Sequence, residues 1–255
     1  MGKMFDTVFK INKNLNLRVF NNLLDKLSIK NLNQDELKLI SDIQSRNLTY
    51  LGKKRLVSII DTIKDIKVKN IEGGFMEAGC ALGGSSILIS KMKKQSTPHT
   101  IYDVFGLIPA PDSNDTKDVL KRYETITKGE SKGINGEQYY GYRDNLYDTV
   151  VSNLKSFGIT KEADHISMVQ GKVQDTMKVD SPVAFAHIDV DWYNSTMTCL
   201  EQIWPNLVVG GSIIIDDYDS WGGCRKATDE YFGRFKGQYA KDERYGSLKI
   251  TRTKA

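Results

Sequence analysis

Val183-Ala184-Phe185-Ala186-His187-Ile188 is nearly all apolar and runs straight into Asp189. A strand that is apolar on both sides of its pleat needs cover on both sheet faces, as in a parallel sheet flanked by helices. Other segments obey the same rule. Gly74-Phe75-Met76-Glu77-Ala78-Gly79 is a short apolar strand opening into a glycine-rich turn. His99 to Val104, His165 to Val169, Ser212 to Ile215 and Leu248 to Thr251 also read as strands. Helical spacing falls between them: Ile87, Leu88 and Met92; then Leu146 to Phe157; then Tyr193, Met197, Leu200 and Trp204, stopped by Pro205; then roughly residues 223–233. Strands alternating with helices predict an α/β chain with a doubly wound, mostly parallel sheet.

The 255 residues suit one sizeable α/β domain with a helical extension. Residues 1–70 read as helices, from Leu23, Leu24 and Leu27 and from Leu56, Ile59, Ile60 and Ile63. We therefore divide the chain into an N-terminal helical extension, 1–70, and a main domain, 71–255. The extension holds 14 Lys and Arg against 7 Asp and Glu, a local +7 within a net +4, which leaves −3 for the rest. A solvated helical face explains this surplus best, and a phosphorylated substrate or acidic partner is the other reading. The apolar stripes of these helices predict a lid over the site or a homo-oligomer contact, a dimer or higher.

The net charge is too small to announce a nucleic-acid partner. Cys80, Cys199 and Cys224 are odd in number and lack paired spacing, which argues against disulfides and zinc. Asp6, Lys10 and Lys13 break any apolar signal core, Asp6 spoils a myristoylation signal, and no stretch is long and apolar enough to span a membrane. The expected location is the cytoplasm.

Two constellations carry chemistry. Glu77-Ala78-Gly79-Cys80-Ala81-Leu82-Gly83-Gly84-Ser85 places glycines between a strand and a helix, where a ligand can lie against bare backbone near a positive helix end. It is neither the dinucleotide fingerprint nor a P-loop. Glu77 suits a ligand with an amine or cationic end. Asp103, closing the next strand, stands where this fold presents a carboxylate to ribose hydroxyls. The second constellation is acidic: Asp189 ends the fourth strand, Asp191 follows, and Asp216 and Asp217 end the fifth. Strand carboxyl ends form the ligand crevice of an open α/β sheet. A hard divalent cation would relieve the crowding of four carboxylates, with Mg²⁺ favoured and Mn²⁺ or Ca²⁺ open. Alternatively, Asp191, Asp216 and Asp217 simply cap the turns and helices that follow them.

Ile188-Asp189-Val190-Asp191-Trp192-Tyr193-Asn194-Ser195-Thr196, followed by Gly210-Gly211-Ser212-Ile213-Ile214-Ile215-Asp216-Asp217-Tyr218, resembles the macrocin O-methyltransferase family of antibiotic-sugar methyltransferases. Glu77-Ala78-Gly79 with Gly83-Gly84-Ser85, Gly171 with Asp175-Thr176, and Gly223-Cys224-Arg225-Lys226-Ala227 support the likeness, which covers roughly residues 45–235. The double acidic motif is specific to this family; the glycine turn is general to methyltransferases. The resemblance implies a Rossmann-like class I methyltransferase fold with a seven-stranded sheet, which uses S-adenosylmethionine and Mg²⁺. It implies metal ligands at Asp189, Asp216 and Asp217, and a catalytic base at Asp191. It places Glu77, Ala78, Gly79, Cys80, Ala81, Gly84, Ser85, Asp103, Gly171 and Asp189 at the cofactor. The implied acceptor is a sugar or glycosylated small molecule with adjacent hydroxyls. Catechol-like phenols, which also chelate Mg²⁺, are the rival within the class. A non-catalytic nucleotide- or nucleic-acid-binding module is the rival outside it.

Residues 107–142, rich in Gly, Asp, Asn, Lys and Tyr, read as a long, partly ordered excursion that shapes the acceptor pocket. Its Tyr139, Tyr140 and Tyr142 either stack on a sugar or pack the loop down. His187 reads as a core residue, His99 and His165 as strand starts, and Arg225 as an exposed helix-start residue or a substrate contact.

Overall fold

The computed structural model describes residues 32–254. The chain divides into two compact units, residues 1–39 and 40–255. Of the first, residues 32–39 are described. There Asn33 and Glu36 exchange side-chain-to-backbone hydrogen bonds of 2.9 and 2.8 Å, a capping box that opens helix α1 (Gln34–Ser45). The expected helix around Leu23, Leu24 and Leu27 lies outside the described residues.

The second unit is built on a seven-stranded sheet. Its strands are β1 (Gly74–Ala78), β2 (His99–Asp103), β3 (Ile166–Gln170), β4 (Val183–Ile188), β5 (Leu207–Ile215), β6 (Tyr239–Asp242) and β7 (Leu248–Arg252), in the order β3-β2-β1-β4-β5-β7-β6. The first five are parallel, and β7 runs antiparallel to both β5 and β6. All six residues of β4 are buried, as its apolar run requires. The chain winds outward from β1 through β2 to β3, then returns to lay β4 on the other side of β1. That reversal opens a crevice at the carboxyl ends of β1 and β4.

Helices cover both faces. They are α2 (Lys53–Val68), α3 (Gly84–Met92), α4 (Lys117–Thr127), α5 (Leu146–Ser156), the short α6 (Val173–Thr176), α7 (Tyr193–Ile203) and α8 (Gly222–Phe232). On α2, Leu56, Ile59, Ile60 and Ile63 recur at helical spacing and are fully buried, and this helix meets α3, β4 and β5. Helix α2 falls within the 1–70 segment and packs on the sheet. Pro205 ends α7, and Trp204–Asn206 form a short 3₁₀ turn. The cysteines are unpaired and buried. Among the described residues no helix is long and apolar enough to cross a membrane.

The excursion is more ordered than its composition suggested. Val119 and Ile126 of α4 are buried with Ile108, Tyr139 and Trp192 in a small core of their own. Tyr142 donates to the Ile126 carbonyl at 2.6 Å and accepts from the Ser131 amide, so it packs the loop down. Acids then fasten the loop to the helices behind the acidic motifs. Asp115 Oδ1 accepts from Tyr193 N at 2.8 Å, at the start of α7, and Asp118 Oδ2 accepts from Gly222 N at 3.0 Å, at the start of α8. Both bonds satisfy amides that a helix leaves open at its first turn.

Candidate active site

The glycine turn after β1 is pressed against the end of β4. Asp189 N donates to the Ala78 carbonyl at 2.8 Å, and a Cβ on Gly79 would lie 1.8 Å from the Asp189 carbonyl oxygen. Only glycine fits there, at a φ of 82°. Gly84 meets a second constraint, since a Cβ would lie 2.4 Å from the Leu48 carbonyl oxygen. Asp103 holds the turn closed. Its Oδ2 accepts from Cys80 N at 2.7 Å and Ala81 N at 3.2 Å, and its Oδ1 from Phe105 N at 2.7 Å. The Cys80 side chain adds a fourth hydrogen bond, so the protein itself occupies about all the acceptor positions that a carboxylate offers. Burial raises the Asp103 pKa, against the pull of these amides.

A cleft opens at this turn, lined by Gly79, Asp103, Gly171, Asp189 and Asp191. Tyr102, Ile108, Val173 and Val190 add apolar wall, and Lys172 and Gln174 add polar groups. Four of the residues expected at the cofactor therefore line the cleft: Gly79, Asp103, Gly171 and Asp189. Ala81 lines the adjoining cavity instead. Ala78 and Cys80 are buried, Cys80 bonding Asp103 through both its amide and its side chain, and Gly84 is packed on Leu48. Glu77 and Ser85 lie outside the lining of both cavities. Glu77 is fully buried beneath the turn, accepting from Ser86 Oγ and lying 3.2 Å from His187 Nδ1. Ser85 is buried beside it. The Glu77 side chain is turned into the covered sheet face, engaged by Ser86 and His187, and this keeps it out of the crevice.

The adjoining cavity, about 180 Å³, is lined by the acids Asp189, Asp191, Asp216 and Asp217. Carboxylate oxygens of Asp189, Asp191 and Asp217 lie within 4.8 Å of one another. Asp216 stands aside from this trio, because Arg55 on α2 holds its Oδ2 and donates to Ser220 Oγ at 3.0 Å. The other oxygen of Asp216, and Oδ2 of Asp217, are buried without a hydrogen-bond partner among the described residues. Burial raises the pKa of all four acids, and like charge adds to it at Asp189, Asp191 and Asp217. Asp189 reaches about 7. Crowded oxygen donors with unfilled acceptor positions fit a hard divalent cation.

The capping alternative fails for Asp191. Its helix begins on Trp192 without a side-chain cap, and the Tyr193 amide is taken by Asp115. Asp191 instead sits in the left-handed region, at a φ of 59°, inside a tight turn closed by Trp192 N and the Val190 carbonyl at 2.6 Å. Such a backbone in a non-glycine residue is strained and marks functional turns. Asp216 and Asp217 cap nothing either: Asp118 takes the first amide of α8.

Sequence reasoning missed Tyr50, Leu51, Arg55, Arg122 and Trp221, which line the acid cavity from distant segments. No local motif announces them. Arg225 pairs with Asp219 and lies over the Tyr218 ring, away from the lining of both cavities.

A sequence profile of the macrocin O-methyltransferase (TylF) family matches residues 3–237. Demethyldecarbamoylnovobiocin O-methyltransferase of Streptomyces niveus is 27% identical over 197 residues, covering 73% of this chain and 68% of that one. Mycinamicin III 3''-O-methyltransferase of Micromonospora griseorubida is also 27% identical, covering 73% and 70%. Among solved structures, the O-methyltransferase NovP matches with a TM-score of 0.67 at 24% identity over 81% of this chain and 83% of that one, a likeness of fold. The chain thus has the class I methyltransferase fold and belongs to the macrocin O-methyltransferase family, as an S-adenosylmethionine-dependent O-methyltransferase.

Proposed function

We propose that this enzyme methylates a hydroxyl of a sugar-like small molecule bearing adjacent hydroxyls, with help from Mg²⁺. One observation carries the reading: the cofactor cleft and the acid cavity share a wall made by Gly79, Asp103, Tyr140, Asp189 and Asp191. A donor on one side and an acceptor on the other would meet at those carboxylates. The names of relatives support a sugar-like acceptor; one from Streptomyces olivaceus is the 4'-O-methyltransferase of a rhamnosyl-tetracenomycin.

Methyl transfer from a sulfonium is a displacement that needs the acceptor oxygen held in line and made nucleophilic. Asp189, Asp217 and the free oxygen of Asp216 would hold the cation, whose contribution is to lower the pKa of hydroxyls bound to it. Asp191 lines both cavities and would take the hydroxyl proton. Its raised pKa suits that work better than an ordinary carboxylate's. Asp103 shapes the cofactor side by fixing the turn, with Gly171 beside it. Tyr50, Tyr139, Tyr140 and Trp221 give the acceptor aromatic walls.

The test is a methyl-transfer screen over nucleotide sugars, glycan fragments and catechols, with and without Mg²⁺. Metal-dependent methylation of a sugar diol is the expected result. Transfer confined to catechols, or unchanged by chelator, would overturn the acceptor or the metal reading respectively.

A further inference from the structure

The acid cavity has two cations in its wall, Arg55 and Arg122. Arg55 is engaged, through Asp216 and Ser220. Arg122, on α4, has no carboxylate partner among the described residues; its guanidinium lies over the Tyr139 ring at 5.5 Å. That ring is buried and belongs to the small core that stiffens the excursion. The excursion is in turn fastened by Asp115 and Asp118, so Arg122 is presented from an anchored wall. Nearby, Arg143 has a buried Nε without an acceptor, and its carboxylate neighbour, Glu137, is 3.8 Å away. The charges of Arg122 and Arg143 both act on the hydroxyl of Tyr50, another lining residue. A partly buried guanidinium with open donors suits a planar or tetrahedral oxyanion, which it grips with two parallel hydrogen bonds.

We propose that the acceptor carries an anionic group, a phosphate or a carboxylate, and that Arg122 binds it while the hydroxyl end of the same molecule faces the acids. The inference rests on the sugar-acceptor reading above and narrows it to charged sugars. A competing role for Arg122 is distant counter-charge to Asp191, on which its charge also acts. The two roles part in their consequences. A counter-charge affects every acceptor alike, whereas an anion reader affects charged ones only.

The experiment measures binding, not turnover. Protein loaded with S-adenosylhomocysteine, free of divalent ions, is titrated with galactose 1-phosphate, galacturonate and uncharged methyl galactoside, as wild type, Arg122→Gln and Arg122→Lys. Wild type should bind at least one charged sugar at least tenfold more tightly than the neutral one, and the tighter of the two identifies the oxyanion. Arg122→Gln should erase that preference with S-adenosylhomocysteine affinity and melting temperature unchanged. Arg122→Lys, which keeps the charge but loses the fork, should retain part of it. Equal binding of all three sugars by wild type, or equal weakening of all three in Arg122→Gln, overturns the proposal. If Arg122→Gln fails to fold, the wild-type preference and its size in Arg122→Lys decide. An enzyme that binds charged sugars through Arg122 yet methylates only neutral ones would overturn this proposal and leave the sugar-acceptor reading standing, whereas one that methylates no sugar would overturn that reading.

Discussion

Glu77 and Asp217 are both carboxylates buried in the same sheet, and they behave in opposite ways. Glu77 is the penultimate residue of β1, directly across from His187 in the β1–β4 register. Burial pushes its pKa up, but the bond and charge of His187 reverse that and hold it below the usual value. His187 is raised in return, its burial outweighed by Glu77. Ser86 fills a further acceptor position of Glu77. Asp217, at the end of β5, is also buried, but its neighbours are Asp191, Asp189 and Asp216, and its pKa is driven well up. One of its oxygens has no hydrogen-bond partner among the described residues. A buried charge that the fold itself satisfies is structural; one surrounded by like charge is set for a ligand the fold does not supply.

The largest test of this contrast removes the ligand. Chelating divalent ions should abolish methyl transfer, and added Mg²⁺ should restore it; transfer that persists in chelator would show that the acids serve without a cation. Next is Asp191→Asn, which keeps shape but accepts no proton. Turnover should fall by roughly 10²–10⁴-fold with Mg²⁺ affinity retained. A loss of Mg²⁺ affinity as large as that of Asp216→Asn would make Asp191 a ligand, as its place in the close trio allows.

On the structural side, Glu77→Ala strands His187 without its partner. Breaking a buried pair in this way costs about 3–5 kcal/mol, to be read from denaturant unfolding. Folded Glu77→Ala should still bind S-adenosylhomocysteine, because Glu77 does not reach the cleft. A folded variant that has lost the cofactor would return Glu77 to the binding site.

The sequence showed the contrast only in part. The acids at strand ends were legible because strand boundaries are local signals: an apolar run stops at Asp189, another at Asp216. The difference between Glu77 and those acids was not, since His187 lies 110 residues away and becomes its partner only through β-register. Strand β6 escaped because it is an edge strand without an apolar run. Helix α4 had a signal, in Val119, Tyr123 and Ile126 at helical spacing, hidden by the polar residues around it. The lining residues Arg55, Arg122 and Trp221 come from segments that only the fold brings together.

Asp103 stands between the two classes, buried and bonded by three amides, yet lining the cleft. Asp103→Ala should loosen the glycine turn and remove a carboxylate from the cleft wall. Calorimetry should show S-adenosylhomocysteine affinity down about tenfold, or about 1.4 kcal/mol. Unchanged affinity would make Asp103 wholly dispensable to the cofactor site.

The smallest expected effect is the dependence of cation binding on pH, and it follows from Asp189. Its pKa is near 7 in the metal-free protein, raised by burial and by Asp216, against about 3.9 in an unfolded chain. Between those values the folded state holds a proton that the unfolded state has lost. Metal-free stability contributed by this group is therefore full below about pH 4 and declines as pH rises toward 7. A divalent cation needs the ionised form, so it competes with that proton and its affinity rises with pH. A single group titrating near 7 makes binding about threefold tighter at pH 7.5 than at pH 6.5. Mg²⁺ should accordingly raise the melting temperature more at pH 7.5 than at 6.5, and Asp189→Asn should flatten the difference. In Glu77→Gln, whose acid lies on the satisfied side of the contrast, the pH dependence should survive. A Mg²⁺ response that is flat with pH in the wild type would show that Asp189 is already ionised at pH 6.5, and that its crowding is relieved within the protein.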